Sequence, residues 1–260
     1  MPLKNASTHA AARTRRGPRA TLAAALLCAA CQSPPAPAPP QVVLWAWERP
    51  EDLRFLADAG RPARVAFLLA TLALTETEVR EQPRRYPLHV PPGMKLQATV
   101  RMEAQPRASL ANYPPERLQA LAERLATLAN RPELTGLQLD FDARASEYDA
   151  YVALLQALRR RLPSTMTLSI TGLASWCAPG SWLTRAPVDE VVPQLFRMGP
   201  DAATWRARFE RGVPAPCRGS VGLALDEWQA VPSGVSTLYL FNPRPWTPEA
   251  FTRAVTGLTP

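Results

Sequence analysis

The chain has 260 residues, 47% of them hydrophobic, with 29 prolines, 12 glycines and a formal charge of +8. That length suits one α/β barrel, and the apolar share supplies a sizeable core. Lys4, Arg13, Arg15, Arg16 and Arg19 lie in a stretch, 1–30, that has no acidic residue; setting aside their five charges takes +8 to +3, an ordinary solvated surface that argues against a nucleic-acid partner.

Residues 1–30 read as a secretion signal. A basic stretch ends at Arg19 and an apolar run follows from Thr21 to Ala30, short of the ~20 residues that span a bilayer but suited to a signal core. Cys31, in LLCAAC, resembles the acceptor cysteine of bacterial lipoproteins, with Cys28 where leucine is usual. The resemblance implies a membrane partner through a lipid anchor; ordinary cleavage, with Cys31 an incidental small residue, is the alternative. Gln32–Pro40 is Pro/Ala-rich, so 31–41 is expected to be an extended tether and 42–260 the folded domain of an exported envelope protein.

From Val42 onward strand-like and helix-like segments alternate. Eight strands are expected, at Val42–Trp47, Arg64–Leu72, Lys95–Glu103, Gly136–Asp142, Thr167–Ser175, Val191–Met198, Ser220–Asp226 and Thr237–Phe241. Between them, Pro114–Ala129 spaces Leu118, Leu121, Ala122, Leu125 and Leu128 along one helical face, and Ser146–Leu162 does so with Tyr151, Leu154, Leu155, Leu158 and Leu162. Ser146 with Asp149 resembles a capping box. Asp201 opens a further helix, and Thr247-Pro248-Glu249 starts the last. Arg159-Arg160-Arg161 falls at a helix end, where cations suit the dipole. The order predicts a parallel sheet. No glycine-rich turn follows the first strand, so the expected fold is a single-domain parallel (β/α)8 TIM-type barrel rather than an open dinucleotide-binding sheet.

Gly136–Asp142 carries the chemistry. Alternation puts Leu137, Leu139 and Phe141 on one face and Gln138, Asp140 and Asp142 on the other. Carboxylates on an inward face are costly unless paired or wet, so an open, polar mouth at the carboxyl ends of the strands is expected, where barrel enzymes hold their sites. On the preceding strand, Arg101 is expected beside Asp140, leaving Asp142 the more adjustable acid. An Arg–Asp network that only braces the barrel is the bland alternative.

This strand resembles the fourth strand of the chitinase-type family 18 glycoside hydrolases, Asp-Gly-x-Asp-x-Asp-x-Glu. Gly136 matches the motif glycine, Asp140 the third aspartate and Asp142 the catalytic glutamate. The resemblance implies Asp142 as general acid, with Asp140 orienting a substrate N-acetyl group that acts as nucleophile. Thr135 and Gln138 replace the first two aspartates, and the family's Tyr-Asp on strand six is replaced by Gln194-Leu195-Phe196-Arg197-Met198. WAWERPEDLRFL, GLQLDFDARASEYDAYVALLQALRRRLP, LASWC and VDEVVPQLFRMG resemble a bacterial lipoprotein family with a domain of unknown function, which implies a barrel remotely related to glycosidases.

Trp45 and Trp47 share a strand face, Trp176 ends strand five and Trp246 follows strand eight; they are candidate sugar platforms or core residues. Gln194, Arg197 and Asn242 lie near strand ends as candidate substrate contacts, with Glu48, Asp226 and Glu227 behind them. Cys177 and Cys217, both in expected loops, suit a disulfide in an oxidising compartment, with two free or buried thiols as the alternative. His89 is the only histidine beyond residue 30, so no metal is expected, and no phosphate or dinucleotide glycine pattern implies a cofactor. The expected function is a glycoside hydrolase-like protein with a polysaccharide partner; the alternative is a non-catalytic glycan-binding or scaffolding barrel.

Overall fold

The structure, a computed structural model, describes residues 38–258. The expected signal at 1–30, the expected acceptor Cys31 and most of the expected tether lie outside the described residues. The first strand already begins at Gln41.

Eight strands form the barrel: β1 (Gln41–Ala46), β2 (Ala63–Leu74), β3 (Leu96–Ala104), β4 (Leu134–Asp140), β5 (Thr167–Leu173), β6 (Glu190–Gln194), β7 (Ser220–Ala224) and β8 (Thr237–Phe241). Every neighbouring pair is parallel, and β1 bonds both β2 and β8, which closes the sheet. A return strand, Val79–Pro83, pairs antiparallel with β2 outside the barrel.

Four α-helices are present among the described residues: α1 (Pro115–Ala129), α2 (Tyr148–Arg159), α3 (Ala202–Glu210) and α4 (Pro248–Thr256). The crossovers after β1, β2, β5 and β7 use short 3-10 turns or the return strand instead. The leucine faces of α1 and α2 fold as their spacing dictates. Leu118, Leu121 and Leu125 join Leu154, Leu155 and Leu158 against the outward-facing Leu137 and Leu139 of β4 in one buried core. Burial of each such side chain contributes about 1.5–3 kcal/mol.

The entry to α2 differs from the Ser146–Asp149 expectation. α2 starts without a side-chain cap, and Glu147 instead closes the 3-10 turn Ala145–Glu147 before it, accepting the Arg144 backbone N–H at 2.9 Å and the Ser109 hydroxyl at 2.9 Å. A buried carboxylate with several donors outcompetes an exposed serine, because its burial is tolerable only when its oxygens are satisfied. At α4 the expected cap is present, with Thr247 Oγ1 accepting from the Ala250 N–H at 3.2 Å.

Inside the barrel the side chains are mixed. Val43, Trp45, Ala66, Val192, Ala224 and Tyr239 form an apolar and aromatic group. Gln97, Thr99, Gln138 and Ser169 are buried among polar partners. The barrel bore is therefore filled, and open space is left at the carboxyl ends of the strands.

Candidate active-site cleft at the barrel mouth

The open end holds a cleft of about 680 Å³. Its floor is Trp45, on β1. The indole N–H donates to Gln138 Oε1 at 2.8 Å, Thr99 Oγ1 donates to the same oxygen at 3.2 Å, and Gln138 Nε2 donates to Ser169 Oγ at 3.1 Å. The ring lies so close to Gly222 that a Cβ there would stand 2.7 Å from Trp45 Cη2. Tyr239 flanks it at 5.1 Å between ring centroids. The missing side chain at Gly222 is what lets the indole lie across the bore.

The acidic wall stands on β4 and β5. Asp140 ends β4 with a side chain only 15% exposed, and it accepts the Thr171 hydroxyl at 2.6 Å. Burial raises its pKa; the Thr171 hydrogen bond lowers it, and the nearby Asp142 charge raises it again. Asp142 lies two residues past Asp140, in the loop, exposed at the rim of the cleft. Withdrawal from bulk water by the cleft raises its pKa too, against the lowering charge of Arg101. Arg101 lies beside Asp140, its register partner, as expected, but only at the edge of ion-pair range. Its short contact is with Glu103, at 2.9 Å, and Asp140 is 4.0 Å away. Both acids are therefore left with raised pKa values, and Asp140 is the more deeply buried of the two.

Glu147 also lines the cleft but serves structure. Burial opposes its ionisation, yet Arg144, the Leu110 N–H and the Ser109 hydroxyl outweigh that and hold it down to about 2. An acid so fully engaged has no proton to give near neutral pH.

Aromatic side chains make the opposite wall. Phe241, at the end of β8, stacks parallel on Phe196 at 5.8 Å, and Trp47 meets it edge-on at 6.3 Å. Trp205 of α3 and Gln194 of β6 complete this side. Arg197 follows β6 in a left-handed backbone conformation, φ 52°. Its N–H donates to Glu227 Oε2 at 3.1 Å, and its guanidinium lies 5.6 Å from the Phe241 ring centre.

The cleft thus gathers Trp45, Trp47, Arg101, Asp140, Asp142, Gln194 and Arg197 from the sequence candidates. Gln138 is fully buried beneath Trp45 and offers nothing to a ligand. Trp176 is a core residue, packed on Gly172 and edge-on to Trp182 at 5.0 Å. Asn242 braces a turn, with its amide donating to the Pro245 carbonyl at 3.3 Å and accepting from the Arg244 N–H at 3.1 Å. Trp246 supports the floor from outside, donating its indole N–H to the Trp45 carbonyl at 3.1 Å. Glu48 accepts the Arg85 N–H at 3.0 Å. Cys177 and Cys217 form a disulfide that ties the turn after β5 to the turn before β7.

Thr171, Glu103, Phe196, Phe241 and Trp205 line the cleft without having been singled out. Phe241 pairs in register with Trp45, a relation between strands at opposite ends of the domain that the sequence does not show. Thr171 had no signal of its own, because a threonine within a strand is ordinary. Among the described residues, no group of three His, Cys, Asp or Glu side chains could hold a metal ion.

Residues 93–199 match a family model, Domain of unknown function (DUF3142). The matched segment runs from just before β3 to just after β6 and includes Arg101, Asp140, Asp142, Thr171, Gln194 and Arg197. The expected likeness to a family of unknown function is met over this stretch. Among solved structures, a GH113 beta-1,4-mannanase in a complex is similar at 9% identity and TM-score 0.49, over 81% of this chain and 91% of that one. An apo endo-beta-N-acetylglucosaminidase from Cordyceps militaris is similar at 10% identity and TM-score 0.46, over 86% and 92%. No curated protein matches the chain.

Proposed function

We propose that the barrel mouth binds a glycan and hydrolyses a glycosidic bond. The observation that carries this reading is the pair Asp140 and Asp142, both with raised pKa values, facing a wall of Phe241, Phe196 and Trp47 across one open cleft. Aromatic faces suit sugar rings. A carboxyl kept protonated nearer neutral pH can act as general acid.

In this reading Asp142, the accessible acid, protonates the leaving oxygen. Asp140, fixed by Thr171, stabilises positive charge at the sugar carbon or orients a substrate amide that attacks it. Glu103 and Glu147 are held by Arg101 and Arg144, which favours attack by a substrate group or water over attack by either of them. The protein is exported and held to the membrane through Cys31; the disulfide is consistent with an oxidising compartment.

One observation favours a second reading, a non-catalytic glycan-binding barrel. Gln138 stands where the family 18 motif has an aspartate, and it is spent on Trp45 and Ser169. Asp140 therefore has no carboxylate beneath it to exchange a proton with.

The deciding experiment is hydrolysis of a panel of envelope glycans by the mature domain beside Asp142→Asn. Turnover that vanishes in the mutant supports the hydrolase. Binding by both proteins with turnover by neither supports the binding barrel and overturns the hydrolase.

A further inference from the structure

The cleft has two chemically different sides. Around the closed sheet β8 is four strands from β4 in either direction, so Phe241 stands across the mouth from Asp140. Cations line the cleft at Arg101, Arg144 and Arg197. Arg101 is paired with Glu103 at 2.9 Å and Arg144 with Glu147 at 3.0 Å. Arg197 has no carboxylate partner for its guanidinium among the described residues; Glu227 binds its backbone N–H and the side chain of Arg206 instead. Arg49, also near Phe241, is committed to Glu51 at 2.7 Å and to the carbonyls of Asn242 and Pro243.

Arg197 is also held in place. A non-glycine residue at φ 52° is disfavoured, and such positions persist where the surroundings fix them. Here the Glu227 carboxylate pins the backbone, and the side chain reaches over the Phe241 ring. One face of the guanidinium meets an aromatic ring while its N–H edge remains free to make a two-bond contact with a carboxylate. A pyranose lying against the Trp47 indole, beside Phe241, would bring a C6 carboxylate toward that edge.

We propose that Arg197 is the anion-recognising residue of a sugar subsite on the β6–β8 side, and that the glycan is one bearing carboxylates, a uronic-acid polymer. The inference rests on the glycan-binding reading of the cleft, but it does not need the hydrolytic one. Arg197 stands across the mouth from Asp140 and Asp142, with Glu227 turned to its backbone N–H and Asp201 the further acid lining the cleft on its side.

The test is titration calorimetry of oligouronates of several hexuronic acids, each against its own carboxyl-reduced, neutral counterpart. It uses Asp142→Asn as the parent protein, so that no probe is consumed. The expected result is that at least one oligouronate binds about 10-fold tighter than its reduced form. That preference falls below about 2-fold in Arg197→Gln and is partly kept in Arg197→Lys, with unchanged melting temperatures. Should Arg197→Gln not fold, salt decides: raising NaCl from about 20 to about 500 mM must weaken uronate binding and spare the neutral probe. Equal affinity for the two probes, or a preference that survives Arg197→Gln, overturns the inference while leaving the glycan cleft intact. Binding of neither probe overturns both.

Discussion

The indole N–H of Trp45 donates to the side-chain oxygen of Gln138 across the barrel bore, at 2.8 Å, between residues 93 positions apart in sequence. This bond joins the floor of the cleft to the strand that carries its acids. Gln138→Leu would leave the Trp45 N–H, the Thr99 hydroxyl and Ser169 with a lost partner in a dry interior. The expected cost is about 2–3 kcal/mol of stability, read by chemical denaturation. A loss below about 0.5 kcal/mol would mean that the bond does not hold the floor.

Gly222 and Trp45 are equally bound together, by exclusion rather than attraction. A Cβ at 222 falls 2.7 Å and 2.9 Å from two indole carbons. Gly222→Ala is expected to cost about 1–3 kcal/mol and to weaken ligand binding by tilting the floor. Gly60→Ala, where nothing stands within 4 Å of the added atom, is the matched control and is expected to change stability by less than about 0.5 kcal/mol.

Acid–base behaviour has two signs in this cleft. Asp140 and Asp142 are raised above the ordinary 3.8, in both cases chiefly by burial. Their contribution to stability is complete below 3.8 and is lost as pH rises through the folded values. Glu147, held at about 2 against an ordinary 4.5, contributes above 4.5, and that contribution is lost as pH falls toward 2. Thr171→Val removes the hydrogen bond that lowers Asp140 and should push its titration further up. Carbon NMR of the side-chain carboxyls reads this directly, and an unmoved titration would contradict the placement of Thr171.

Tyr151 is buried with its hydroxyl unpartnered among the described residues, its ring edge-on to Phe141 at 5.3 Å. Tyr151→Phe deletes an unsatisfied polar atom and keeps the packing. It is expected to be neutral or to stabilise by up to about 1 kcal/mol. A clear loss in thermal unfolding would instead reveal a buried water serving that hydroxyl.

The Cys177–Cys217 disulfide joins residues 40 apart in sequence and brackets β6, which carries Gln194 and leads into Arg197. Replacing both cysteines by alanine is expected to cost about 2–4 kcal/mol. Reductant should lower the melting temperature of the parent protein and leave that of the double mutant unchanged.

The sequence by itself determined the barrel and the strand that bears the acids. Period-2 alternation in residues 136–142 sorts leucines outward and polar groups inward, and the leucine spacing of the two central helices matches the face that covers them. These are local regularities of one chain segment, so they can be read locally. Only the tertiary structure decided which inward residues meet a ligand. Gln138 and Asp140 differ by one step along the same face, yet one is sealed beneath Trp45 and the other opens to the cleft. Depth along the barrel axis is set by the stagger of neighbouring strands, not by the periodicity of any one of them. Arg101 makes its shorter contact with Glu103, Trp176 packs on Trp182, and the Arg197 guanidinium has no carboxylate partner among the described residues, for the same reason. Which partner a charged or aromatic side chain finds depends on segments far away in sequence, and on whether water or protein fills the space between them.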